Sequence, residues 1–108
     1  MVLVVATIIF PFAKSREVAK RNVELMQKYP PELSVGKILI IGVRATVDGM
    51  KVLAVGEAKK GKVEEFMTRL VRLYQEYTNL EGYRYEIETY FDIAEAYKVL
   101  GMEVPSRD

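Results

Sequence analysis

Among the charged side chains inside apolar, strand-like stretches are Arg44, Glu57, Arg84, Glu86 and Glu88. An arginine can grip a carboxylate through two parallel hydrogen bonds, and a glutamate with a raised pKa can move a proton. The five could hold a small polar ligand. They could also act on it, with Glu57 or Glu86 as acid and base and Arg44 as anion clamp. Charges in strands have a plainer use as well, pairing within or between subunits and blocking unwanted strand addition at a sheet edge. No catalytic residue is assigned on this basis.

Other chemistry is thinly represented. The run Lys59-Lys60-Gly61-Lys62 precedes a helix start, where backbone N–H groups can receive an anion. No Walker pattern and no Ser or Thr follows it, and a short charge run is ordinarily a solvated loop. Lys14 and Arg16 also flank a helix start, but at the opposite end of the sheet. The chain has no Cys, His or Trp. Thiol nucleophiles, zinc fingers, histidine bases and histidine-ligated haem are thereby removed, and no metal or cofactor is expected. Seven tyrosines could suggest base stacking, yet the strand MKVLAVGEA lacks the aromatics and basic start of an RNA-recognition motif. Tyr74 and Tyr77 read better as core or interface.

The elements that must position these residues belong to one domain, residues 1–108, of ordinary size. Half the residues are apolar and 29% are charged, which excludes a disordered chain. With a net charge of +1 and both signs interspersed, neither nucleic acid nor an anionic membrane is an expected partner. No apolar stretch reaches transmembrane length, and VLVVATIIF lacks the flanks of a signal peptide, so a cytoplasmic location is expected. Two Asn and two Gln beside abundant Lys, Arg and Glu resemble a thermophile's composition.

Residues 2–10 read as a buried central strand ended by Pro11. Ser15 is the expected N-cap of a helix with an apolar stripe of Val18, Ala19, Val23, Leu25, Met26 and Tyr29, terminated by Pro30-Pro31. Strands over 37–47 and 50–58 flank an Asp48-Gly49 hairpin turn. Val63, Phe66, Met67, Leu70, Val71, Tyr74 and Tyr77 make one face of a second helix, with Glu65–Arg69 and Arg72–Glu76 pairing outside it. Strand 83–91 alternates between an apolar set and Arg84, Glu86, Glu88 and Tyr90. Asp92 to Glu95 is a capping box for a short last helix. The order βαββαβ plus a helix predicts an α+β, ferredoxin-like sandwich: four antiparallel strands with two helices on one face.

A turn at Asp48-Gly49 pairs residues whose numbers sum to 97. Leu39, Ile41, Val43, Ala45, Val47, Met50, Val52, Ala54, Gly56 and Ala58 then face the helices. Ile38, Ile40, Gly42, Arg44, Thr46, Lys51, Leu53, Val55 and Glu57 face away. That second face is too apolar for water. Fully burying an aliphatic side chain contributes roughly 1.5–3 kcal/mol, so leaving about six exposed forgoes on the order of 10 kcal/mol. A second copy packed sheet to sheet would cover it.

This pattern resembles the dimeric α+β-barrel superfamily, in which two ferredoxin-like sheets pair into a barrel. The resemblance covers nearly the whole chain and is one of topology. It implies a homodimer, and its enzymes include isomerases and monooxygenases, several of which rely on His, Trp or Asn in the barrel. Here His and Trp are absent, and Asn22 and Asn79 fall on helices. The expectation is a homodimeric small-molecule-binding or assembly module, with a cofactor-independent isomerase or monooxygenase as the alternative.

Overall fold

Nine residues of alternating burial set the centre of the fold. In the strand β1 (Val2–Phe10), Val4, Ala6, Ile8 and Phe10 are buried while Leu3, Val5, Thr7 and Ile9 are only partly covered. Both edges of β1 are occupied, by β3 (Gly49–Ala58) and β4 (Arg84–Phe91), each antiparallel to it. β2 (Gly36–Thr46) adds to β3, so the sheet order is β2-β3-β1-β4. The helices are α1 (Ser15–Lys28), α2 (Val63–Gln75) and α3 (Ile93–Val99), and a 3-10 turn at Phe12–Lys14 precedes α1. This is a computed structural model, and it describes residues 1–106. It is an α+β fold with a four-stranded antiparallel sheet and three helices.

The core lies between the sheet and α2. Phe66, Leu70 and Tyr74 form the buried side of α2, and Tyr77, Leu80 and Tyr83 continue the core through the turns that follow. At the start of α2, the Phe66 ring rests on bare backbone of two strands. A Cβ on Gly56 would come within 2.9 Å of the ring, and one on Gly36 within 2.7 Å of the Glu57 carbonyl and 2.9 Å of the ring. At the other end, Tyr74 packs against Tyr85 of β4, ring centroids 5.4 Å apart, and Tyr77 stacks on Tyr83 at 4.9 Å. The helix thus crosses the sheet diagonally, from the β2–β3 side at one end to β4 at the other.

Several local expectations are corrected. The hairpin turn is Val47-Asp48, not Asp48-Gly49: Thr46 pairs with Gly49, and only Gly49 has positive φ, at 137°. The Thr46 hydroxyl organises this turn, accepting from the Asp48 N–H at 3.1 Å and donating to the Gly49 carbonyl at 2.9 Å. Paired residue numbers therefore sum to 95 (Arg44 with Lys51) instead of 97. That two-residue slip preserves the alternation, because it moves each side chain by one full pleat period. A bulge between Ile38 and Ile40 does not preserve it. Beyond the bulge Ile38 turns to the helix side, where its Cδ1 approaches Gly56, and Leu39 is left exposed. Val47 lies in the turn in full solvent.

The first helix is also less buried than its stripe implied. Leu25 alone is buried, Val18 and Tyr29 pack at the edge of the core, and Val23 and Met26 are each 63% exposed. Ser15 is the first helical residue, not the cap, because the preceding 3-10 turn supplies the entry. The expected Glu65–Arg69 and Arg72–Glu76 pairs give way to other partners. Arg69 donates to the Pro30 carbonyl, Glu65 meets Lys62, and Glu76 takes Lys28. Asp92 does cap α3, accepting from the Glu95 N–H at 2.8 Å.

The Phe66 contact yields a stability prediction. Gly36→Ala should lower unfolding free energy by about 1–3 kcal/mol, since the neighbouring carbonyl is backbone and cannot step aside. Gly42→Ala, where a Cβ meets nothing within 4 Å, should be neutral or slightly stabilising. Urea titrations of the two variants would check this, and equal destabilisation would contradict it.

Candidate functional site

The register lays four rows across the open face of the sheet, the face away from α2. In order along the strands they are Lys37–Glu57–Leu3–Tyr90, Ile40–Val55–Val5–Glu88, Gly42–Leu53–Thr7–Glu86 and Arg44–Lys51–Ile9–Arg84. Aliphatic side chains occupy the middle and charges the perimeter. One end is cationic, the β4 edge is acidic, and Glu57 sits at the far end.

The five candidate residues therefore share a face without converging. Arg44 and Arg84 lie in the same row but three strand spacings apart, about 14 Å. Glu57 is six residues along β3 from the row of Arg44, about 20 Å away, so the two do not pair within one chain. Glu86 and Glu88 are neighbours on β4, and Glu88 accepts a hydrogen bond from the Tyr90 hydroxyl at 3.0 Å. Arg84 and Glu86 line one shallow hollow of about 380 Å³ with Thr7, Ile9 and Lys51. None of the five takes part in an ion pair among the described residues. The Lys59–Lys62 loop and Lys14 lie at opposite ends of the sheet, as expected, and Lys62 pairs with Glu65 at 3.4 Å.

The helix side holds a site that the charge pattern did not indicate. Because α2 runs diagonally, it leaves the hairpin end of β2 and β3 uncovered, and α1 arches over that gap. The result is a cavity of about 420 Å³, within the roughly 300–1,000 Å³ of ordinary ligand pockets. Ile8, Met50, Val52 and Ala54 form its floor, Leu70, Leu73 and Tyr74 one wall, and Val18, Ala19 and Asn22 of α1 its roof. It opens toward β2, where Ile41 and Val43 are both 61% exposed. Every described side chain lining it is uncharged.

Three phenols supply much of its polarity, beside Ser15 and Asn22 of α1. The Tyr77 hydroxyl donates to Asn22 Oδ1 at 3.3 Å. The hydroxyls of Tyr74 and Tyr83 bond to no described residue, although these side chains are only 7% and 8% exposed. Burial pushes the Tyr74 phenol up to about 12, and it pushes Tyr83 up further, with the neighbouring phenols adding to the effect. Both are therefore neutral hydrogen-bond donors near pH 7 and poor bases. The sequence reads Tyr74 and Tyr77 as core or interface. Two tyrosines in a stripe otherwise built from Leu, Val, Met and Phe were the available signal, because a buried phenol requires a partner or an opening.

The roof is held by polar contacts at one corner. Glu76, just past α2, accepts from Lys28 at 2.5 Å and from the Tyr29 hydroxyl at 2.8 Å. Arg21 donates to the Glu76 carbonyl at 2.9 Å and also bonds Asn79 Oδ1. Hydrogen bonds from Lys28 and then Tyr29 hold the Glu76 carboxyl below the usual carboxylate range. The same carboxylate holds Lys28 and Tyr29 above their ordinary values.

No protein-family model and no curated protein matches the chain. A solved structure titled "De novo designed protein Foldit4" aligns with it at a TM-score of 0.52 and 16% identity, covering 84% of this chain and 96% of that one. At that identity the likeness is one of fold. No helix among the described residues is long and apolar enough to cross a membrane.

The corner clamp sets a pH dependence. A lowered carboxylate contributes stability above its unfolded value, near 4.5, and loses it as pH falls through the folded value. Raised Lys28 and Tyr29 contribute below their ordinary values near 10.5 and 10.0 and lose it as pH rises through the raised ones. The clamp is thus intact at neutral pH and released by acid. Amide-exchange protection of α1, corrected for intrinsic rates, should fall between pH 7 and pH 3.5 while that of α2 holds. Glu76→Gln should lower α1 protection at pH 7 and remove its acid dependence; unchanged protection in that variant would contradict the clamp.

Proposed function

We propose that the protein is a small homodimeric module of ferredoxin-like topology whose two copies pack open face to open face, in the manner of a dimeric α+β barrel. Read from the β4 edge, the strand order is 4-1-3-2, the order of a ferredoxin-like plait, and it supports the topology. One observation carries the assembly. Val5, Leu53 and Val55 fill the centre of the face, Leu3, Ile9 and Ile40 adjoin them, and its charges are confined to the perimeter. An apolar centre within a polar rim is the anatomy of a protein interface. An antiparallel sheet facing water alternates to polar residues on that side instead.

In this reading Arg44, Glu57, Arg84, Glu86 and Glu88 are rim residues. Their segregation into a cationic end and an acidic edge favours docking in which one copy's basic row meets the other's acidic edge, and so fixes the relative rotation of the sheets. The hollow beside Arg84 and Glu86 is where a small polar ligand would meet that rim.

Sedimentation velocity at micromolar concentration tests the assembly. The unmodified protein should sediment as a dimer, and Leu53→Asp, at the centre of the face, should sediment as a folded monomer by circular dichroism. Val99→Glu, on the exposed surface of α3, should remain a dimer. A monomeric parent protein, or a dimer that survives Leu53→Asp and dissociates with Val99→Glu, would overturn the proposal.

A further inference from the structure

We propose that the cavity roofed by α1 is a second, separate site, which binds a neutral and mainly hydrocarbon small molecule carrying at least one oxygen acceptor. The two unpartnered phenols define the ligand's polar end. Tyr74 and Tyr83 are more than nine-tenths buried as residues, line the cavity, and carry O–H groups that bond to no described residue yet are not sealed from solvent. A carbonyl, ether or hydroxyl oxygen of a bound molecule would accept from them. Apart from Ser15, Asn22 and Tyr77, the rest of the lining is apolar, so most of the ligand is apolar.

Charge excludes the obvious competitors. A carboxylate or phosphate would enter a cavity in which every described lining side chain is uncharged and would lose its hydration without an ion partner. A neutral molecule suffers no such loss. The concave shape, enclosed by two helices and the sheet, and the volume of about 420 Å³ suit a small molecule better than a second copy's flat sheet face. Entry is along β2, where Ile41 and Val43 form the lip. The roof is lightly buried, with Leu25 its single buried residue, so α1 can lift while the rest of the core stays packed.

Prodan, a neutral naphthalene ketone that fluoresces blue in apolar surroundings, is a suitable probe. Titrated into the full chain, it should shift to the blue and saturate at one molecule per chain. Tyr74→Phe, which removes a donor and keeps the ring, should weaken binding by about threefold to tenfold. Val43→Trp, which crowds the lip from an exposed position, should weaken it by more than tenfold with an unchanged circular dichroism spectrum. Leu53→Asp, on the other side of the sheet, should bind prodan as the parent does whether it is monomer or dimer. Loss of the assembly and loss of this site are therefore read separately. Absence of saturable binding would overturn the proposal. So would binding that Leu53→Asp abolishes while Tyr74→Phe and Val43→Trp leave it intact.

Discussion

The packing of one ring on bare backbone governs the rest of the molecule. Phe66 can lie flat over Gly36 and Gly56 only because neither carries a Cβ, and this draws the start of α2 down onto β2 and β3. The end of α2 is drawn elsewhere, by Tyr74 and Tyr77 packing against Tyr85 and Tyr83. A straight helix held at these two points must cross the sheet on a diagonal. It cannot also cover the hairpin end of β2, and α1, with one fully buried residue, does not fill the gap. The cavity is a consequence of where those two anchors lie. The chain is also elongated, with a radius of gyration of 15.8 Å against about 13 Å for a compact domain of this length.

The two faces of the sheet then differ in kind. The helix side is neutral, concave and lined by phenols whose ionisation is suppressed by burial. The open side carries no helix, and is aliphatic at its centre and charged at its perimeter. The two proposals rest on that difference: a small neutral molecule inside, a copy of the same sheet outside. The fold alone implies neither use, and the designed protein that shares it shares only the architecture.

Much of the fold was legible in the sequence, because period and punctuation are local signals. The central strand, both long helices, the last strand's alternation and the Asp92 cap follow from residues near one another in the chain. Which strand face carries Arg44, Lys51 and Glu57 was also legible, since a two-residue slip of the hairpin leaves the alternation unchanged. What was not legible depends on contacts distant in sequence. The bulge that turns Ile38 inward sits beside Gly56 and Phe66, which lie eighteen and twenty-eight residues on. Glu76 was assigned to a neighbour on its own helix and instead meets Lys28 and Tyr29, forty-eight and forty-seven residues away. The cavity was hidden for the same reason. Apolar residues at helical spacing imply a covered face, and the sequence does not show that one helix lies askew.

The central claim is that self-association uses the open face of the sheet and leaves the helix-side cavity free. Methyl-resolved NMR on dilution tests it most directly, since the two faces carry separate methyl groups on the same strands. Methyls of Val5, Ile40, Leu53 and Val55 should shift together as the dimer dissociates, while those of Ile41, Val43 and Val52 hold their positions. The reverse pattern, with the cavity methyls moving on dilution and the open-face methyls unmoved, would contradict the account.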